Sequence, residues 1–488
     1  MSDVFTTYRK TVEPLRNHPR PVLPALQEDS LPPYPDPGSI PAQHAPFVIP
    51  DSLQGLKAAL LKPLTPDSIL SDPPSLPPGT ESAHPFHGGE SKALERLEHL
   101  IASGSANAYH DTRNGLLGLD FSTKLSAYLV QGCITARQVH DALLRFEDGT
   151  NPNWSTVAGY GQGENKGTEN IRFELLWRDY MRLCTRKFGS KLFLVSGFKD
   201  KYEAEWSSPS HPLSGLTSDQ VKNQIERFVN GTTGMGLIDA SLREMYHTGY
   251  TSNRARQNVA SFLAKHLKID WRIGAEWYEC MLVDYDLSSN WGNWQYLAGV
   301  GNDPRDGREF NPVKQAFDYD GNADYVKAWV PELRGLTEPS EAFQAWTAPE
   351  TRLEELGLKD LIWVKEPLKK IPFTVNRRGR HQGRGRGGDR GDRGGRGRGG
   401  AGGEGGSSSQ GQGRGGGPSA YQPSQNRGSY GGRGYGSTRG QFRGYGGGRG
   451  PRGGGRGDDT TGGRDLRTGM MDKDKNFQEL AEAQCADE

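Results

Sequence analysis

The chain has 488 residues, of which 33% are hydrophobic and 67 are glycine, and its formal charge is only +1. So low an apolar share excludes one core spanning the whole length, and no run of 18 apolar residues or secretory h-region marks a membrane span or an export signal. The near-zero charge hides a separation: residues 377 to 464 hold 18 Arg, no Lys and five acids, a balance of +13 that leaves −12 elsewhere, and such a block favours an acidic polymer as partner.

Residues 1–80 begin with the amphipathic VFTTYRKTVEPL and then turn Pro-rich, with 17 of the 31 prolines between Pro14 and Pro78. Proline-dense sequence is extended and poorly packed, so this stretch is predicted as an interdomain linker whose upstream domain the chain lacks. From 81 to 372 the segments ESKALERLEHLI, TKLSAYLVQGCITARQVHDALLRFE, IRFELLWRDYMRLCTRKFG, SDQVKNQIERFVN, MGLIDASLREMYHTG and RARQNVASFLAKHL repeat apolar residues at helical spacing. Ser122 or Thr123 is expected to start the second, Ser218 the fourth, and Gly249 to stop the fifth. Strand alternation is missing, so this block of roughly 280 residues is predicted as an all-α domain, near the upper limit for one core.

Residues 373–470 form an Arg-Gly-rich tail with 38 of the 67 glycines between Gly379 and Gly469, too poor in apolar surface to fold alone, and 471–488 form a short polar C-terminus. Cys133, Cys184, Cys280 and Cys485 show neither CxxC nor ligand spacing, so neither a disulfide framework nor a zinc site is predicted, and a reducing compartment fits best.

Three places carry more chemistry than packing requires. In STKLSAYL, three hydroxyls and Lys124 lead into a predicted helix, which suits either a phosphate seat or an ordinary N-cap. In FELLWRDY, Glu174, Trp177 and Arg178 share a helical face, which fits a flat ligand with a polar edge or a solvated ion pair beside a core Trp. Between Gly249 and Pro312 lie Trp271, Trp277, Trp291 and Trp294, four of the chain's 10 Trp, with Arg254, Arg256, Asp284, Asp286 and Asn290 at positions that should face inward. Buried polar groups are costly unless paired, so this density implies a ligand or a dense internal network, with Arg256 as ion partner of Asp284.

The motifs FHGGE, YHDTRNGLLGLDFSTKLS, FELLWRDY, TGYTSNRARQNVASFL and DYDLSSNWGNWQYLAGVGNDP closely resemble the photolyase/cryptochrome flavoproteins, and within them the cryptochromes of the DASH class, from about Val4 to Leu333. The resemblance implies a helical FAD-binding domain, with an N-terminal α/β antenna domain missing upstream of the linker. It implies that Tyr109 and Ser122, Thr123, Lys124, Leu125 and Ser126 hold the diphosphate region of FAD. Asp284 and Asp286 would lie along the adenosine and ribityl side, Arg256 would pair with Asp284 beside the flavin ring, and Asn290 would face the ring nitrogen protonated on reduction. Trp294, Trp271 and an outer Trp206 would form an electron route to the surface, with Trp277 and Trp291 left to packing.

For substrate, the resemblance implies a cyclobutane pyrimidine dimer in a cavity lined by Glu174, Trp177, Asn253, Arg254, Gln257 and Tyr296, with Glu174 and Asn253 taking part in the chemistry. Gln257 and Tyr296 stand where dimer photolyases have Met and Trp, which weakens stacking and favours single-stranded DNA. Ser252 stands where six-four photolyases carry a catalytic His, which argues against that activity. The expected activity is therefore that of a deoxyribodipyrimidine photo-lyase, with a blue-light photoreceptor or RNA-associated regulator as rival and a flavin-free interaction protein as third reading. A 5,10-methenyltetrahydrofolate antenna is expected for the family, most of its site lying in the upstream domain. The Arg-Gly tail is expected to bind RNA or single-stranded DNA. The chain is expected to be monomeric, without a membrane partner, and nuclear or cytoplasmic unless an organelle address is missing.

Overall fold

The computed structural model describes residues 3–15, 21–24, 27–41, 50–61, 74–199, 205–302 and 309–372. The predicted Arg-Gly tail and polar C-terminus lie outside the described residues. One compact unit spans Met1–Gln382, and its described part is helical, with only isolated bridges such as Ser207 to Ile269 and no sheet among the described residues. No helix among the described residues is long and apolar enough to cross a membrane.

The helices run in chain order as α1 Phe5–Val12, α2 Leu53–Leu61, α3 Glu90–Ala102, α4 Ser105–Thr112, α5 Ser126–Val130, α6 Ala136–Glu147, α7 Lys166–Phe188, α8 Ser218–Val229, α9 Gly236–Thr248, α10 Asn253–Ser261, α11 Trp271–Met281, α12 Leu287–Ala298, α13 Pro312–Tyr319 and α14 Asp324–Trp329, with shorter turns to Lys365. The amphipathic segments form helices where the apolar spacing puts them. α6 and α8 each begin with a capping box, Thr135 with Gln138 and Thr217 with Gln220, which satisfies donors that the first turn leaves open. Thr217 therefore caps α8, and Ser218 is its first helical residue. Gly249 ends α9 in the left-handed conformation (φ 66°), as expected.

Two expectations change. The second predicted helix is two, α5 and α6, because the chain turns at Gly132 with φ 74°, and α5 starts after its N-cap Leu125 without a side-chain cap from Ser122 or Thr123. α10 continues into a π-helical turn, Phe262–His266, where Leu267 N donates to Phe262 O at 3.0 Å. The amphipathic opening of residues 1–80 forms a helix. α1 docks on α7, with the Phe5 ring edge-on to Phe173, Trp177 and Tyr180 at 5.0, 4.6 and 5.3 Å, and Tyr180 Oη donates to Asp3 O at 2.7 Å.

Three apolar clusters hold the helices together. One gathers α3 to α7 around Leu100, Leu143 and Phe146; one packs α9, α13 and α14 around Tyr325, Trp329 and Phe343; the largest joins α7 through α12 around Tyr180, Phe262, Trp271 and Trp294. The long α7 contributes to the first and the largest of these clusters and crosses α4 closely, which Gly167 permits: a Cβ there would lie 2.1 Å from Ala106 O.

Candidate flavin site

A cavity of about 100 Å³ opens between α10, α11 and α12. Its wall carries Asn253, Arg256 and Gln257 from α10, Tyr278 from α11, and Asp284, Asp286, Asn290 and Trp294 from the turn before α12 and α12 itself. Of the residues singled out between Gly249 and Pro312, Arg256, Asp284, Asp286, Asn290 and Trp294 thus converge because three consecutive helices face one another across it, whereas Arg254, Trp271, Trp277 and Trp291 lie outside its wall.

Arg256 and Asp284 pair as expected, Nη2 donating to both carboxylate oxygens at 3.0 and 2.9 Å while Nε donates to Thr251 O at 2.9 Å. Burial disfavours the guanidinium charge, but Asp284 outweighs it and raises the Arg256 pKa. Asp286 does more than face the cavity. It caps α12, accepting Ser289 N at 2.8 Å, and receives Arg182 Nη2 at 2.9 Å. Burial pushes its carboxyl up, yet these hydrogen bonds prevail and hold it below the usual carboxylate range. Asn290 Nδ2 donates to Ala275 O at 2.9 Å, which leaves its carbonyl oxygen as the end for a ligand.

The predicted phosphate turn lies beside this cavity, not in its wall. Ser122 and Lys124 both adopt positive φ (87° and 58°), a costly backbone for residues with a Cβ. The turn drives the Lys124 side chain inward to 4% exposure, where Nζ donates to Tyr250 Oη at 3.1 Å and lies 4.5 Å from that ring's centre. A helix-end dipole does not charge this seat, since α5 has only five residues; Lys124 does. Leu125 packs into the core and Ser126 is exposed, so these two offer backbone or rim contacts only. Tyr109, on α4, is buried against the same cluster, and burial pushes its phenol up. Tyr250 links the two halves, because the Arg256 guanidinium stands 5.6 Å from its ring on the cavity side.

Next to Lys124, burial shapes a second ionisable group. Glu244 is fully buried and its carboxyl is pushed up to about 7, while Tyr325 Oη donates to it at 2.6 Å and opposes the shift. Burial likewise lowers Lys124 to about 8, against the pull of Glu244. For Glu244 the folded pKa exceeds the ordinary 4.5, so its contribution to stability is complete below about 4.5 and is lost as pH rises through about 7. Lys124 stays charged across that window. Between pH 5 and 7.5, thermal melts should therefore show the wild type losing stability relative to Glu244→Gln, while Asp320, whose carboxyl burial pushes up to about 6, adds a loss in both and His84, whose imidazole burial pushes down to about 4, opposes it in both. An unchanged slope would refute the assignment.

Of the residues expected on the substrate side, Asn253 and Gln257 line the cavity, Trp177 and Arg254 each hydrogen-bond a residue that does, and Glu174 and Tyr296 lie outside its wall. Trp177 Nε1 donates to Asn293 Oδ1 at 3.3 Å, Tyr296 lies edge-on to Trp177 at 5.7 Å, and Arg254 Nη1 donates to Gln257 Oε1 at 2.9 Å. Asn253 is exposed at the start of α10, which Ser252 caps by accepting Ala255 N at 3.2 Å. Glu174 does not pair with Arg178, its neighbour on α7. Its partner is Arg113 Nη1 at 2.7 Å, and Arg178 turns away to donate to Leu129 O at 3.3 Å. Burial raises the Glu174 carboxyl despite Arg113.

Behind the cavity stand the tryptophans. Trp294 forms its wall, edge-on to Tyr278 with centroids 5.1 Å apart, and touches Gly274, one turn along α11 from the fully buried Trp271. Trp206 is half-buried, its indole donating to Ala264 O at 2.9 Å. The next residue is tied beside Trp271, as Ser207 N donates to Lys268 O at 2.7 Å and Asp270 N to Ser207 O at 2.9 Å. Trp291 is also a ring neighbour of Trp271, at 5.9 Å. Tyr250, Tyr278, Arg113 and Arg182 escaped sequence reading; no spacing signal distinguishes them from core or surface residues.

The chemistry of this wall fits FAD: a carboxylate–guanidinium pair and an amide carbonyl beside an indole suit a polar-edged ring, and a buried ammonium with no carboxylate in ion-pair range among the described residues suits a phosphate. Residues 171–362 match the family described as FAD binding domain of DNA photolyase. A putative cryptochrome DASH, mitochondrial, of Neurospora crassa is 55% identical over 389 residues, covering 77% of this chain and 52% of that protein. A cryptochrome DASH of Danio rerio is 39% identical over 354 residues, covering 72% and 58%. Among solved structures, a cryptochrome of Synechocystis matches with a TM-score of 0.54 and 33% identity, covering 73% of this chain and 63% of that one. The chain thus spans little more than half the length of these two curated relatives. On its helical fold, its flavin-site motifs and these matches, it belongs to the photolyase/cryptochrome family, in the cryptochrome DASH class.

Proposed function

We propose that the chain is a blue-light flavoprotein that splits cyclobutane pyrimidine dimers, preferentially in single-stranded DNA. Bound FAD would supply light absorption and the transferred electron. The observation that carries the proposal is the junction at Trp294, which lines the cavity beside the Arg256–Asp284 pair and leads by way of Gly274 to Trp271 and, through the Ser207 hydrogen bonds, to Trp206. Arg256, Asp284 and Asn290 orient the cofactor ring, and Lys124 neutralises its phosphates. On the substrate side, Tyr296 and Gln257 are polar and already engaged by Trp177 and Arg254, so they stack weakly on a flipped base. A lost stacking contact of ~1–3 kcal/mol is comparable to the few kcal/mol needed to extrude a damaged base from a duplex, which favours a strand that is already single.

Two measurements test this. Trp294→Phe should retain flavin and lose most of its blue-light reduction by external reductant, and a variant reduced as fast as wild type would remove Trp294 from the route. The wild-type chain should repair a dimer-containing single-stranded oligonucleotide under blue light. No repair at saturating light favours the second reading, a photoreceptor or RNA-associated regulator, for which the block of 18 Arg is the supporting feature. For that tail we propose RNA or single-stranded DNA binding. Deleting the residues after Pro372 should weaken RNA affinity and its salt dependence, and unchanged affinity would reject this role. The Neurospora relative's name includes "mitochondrial", which keeps an organelle among the compartments where the chain acts.

A further inference from the structure

We infer that the Tyr278 hydroxyl is a cofactor contact, a hydrogen-bond donor to an acceptor atom of the flavin. The inference rests on the flavin reading above and adds a residue to it. Tyr278 projects from α11 into the wall of the cavity between Arg256 and Trp294. Its side chain is 2% exposed, yet its hydroxyl has no hydrogen-bond partner among the described residues. A buried polar group left unpaired is penalised, and such groups are few in native proteins, so this hydroxyl points to a ligand atom that completes it.

Two features make it a donor to a neutral acceptor. Burial pushes the phenol pKa above its ordinary value, with Arg256 opposing and Glu244 reinforcing, so the O–H keeps its proton at neutral pH. The ring is also held: it meets Trp294 at 88° with centroids 5.1 Å apart, which fixes the direction in which the hydroxyl points. Packing alone does not call for this hydroxyl, since a phenylalanine would make the same edge-on contact. The oxygen is the part that the fold leaves unused.

Removing only that oxygen separates the two roles. FAD is titrated into the flavin-stripped full-length chain, wild type and Tyr278→Phe, with binding read by flavin fluorescence, and both are melted without flavin. The variant should bind FAD about tenfold more weakly, the size of one lost hydrogen bond. Its flavin-free melting temperature should be unchanged or higher, because an unpaired buried hydroxyl has gone. Indistinguishable affinities overturn the inference, as does a clear fall in the flavin-free melting temperature, which would make any lost affinity structural. A wild-type chain that takes up no FAD overturns the flavin reading and this contact with it, whereas wild-type binding with an unaffected variant overturns the contact alone.

Discussion

Asp284→Asn is expected to lower the melting temperature by about 6 °C and to abolish stable flavin uptake. The substitution keeps size and shape but strips the charge facing Arg256, whose Nη2 now lies 3.0 and 2.9 Å from the two carboxylate oxygens. Breaking a buried pair from one side costs ~3–5 kcal/mol, because the remaining charge is uncompensated. The low end, about 3 kcal/mol, applies here, since the Arg256 side chain keeps 24% exposure and a carbonyl partner at Thr251. In a domain of this size each kcal/mol moves the melting temperature by about 2 °C. Removing both partners, Arg256→Met with Asp284→Leu, should restore most of the stability without restoring flavin. Recovery of flavin binding in the double variant would show that the pair is structural only.

What could be read in the sequence follows from where the information lies. α3, α6 and α8 each bury one apolar face, so helical periodicity alone marks them. The cavity residues were legible for the opposite reason: Arg256, Asp284 and Asn290 occupy inward positions where polar side chains are expensive, and the structure brings all three to one wall. Contacts decided at long range were not legible. Helical spacing offers Glu174 a partner at Arg178, but the fold brings Arg113 to 2.7 Å from a position 61 residues away. The left-handed turn at Ser122 and Lys124 has no glycine to announce it, and it is what buries Lys124 against Tyr250. Tyr278 looks like an ordinary core aromatic until its ring is placed against Trp294 and its oxygen is found unpaired.

Gly274→Ala should destabilise the domain by about 2 kcal/mol and displace Trp294, although a helix interior normally favours alanine. On an exposed helix this change would gain ~1 kcal/mol. Here the new Cβ would lie 2.2 Å from Trp294 Cη2 and 2.7 Å from Leu263 Cδ2. An indole cannot yield at its far end as a flexible chain can, so the whole ring must swing. Overpacking of this kind costs ~1–3 kcal/mol, and the severity of the overlap puts this case at or above the upper end, which exceeds the helical gain. Tyr278 stands edge-on to the ring and blocks one direction, so the open course is toward the cavity that Trp294 already lines. The variant should therefore melt lower, bind flavin more weakly and photoreduce slowly. Combining Gly274→Ala with Trp294→Phe, which trims the colliding ring, should recover stability but not photoreduction, giving a positive coupling in a double-mutant cycle. A single Gly274→Ala variant that melts higher than wild type, as helix propensity alone would require, would show that α11 and Trp294 do not pack as closely as the structure places them.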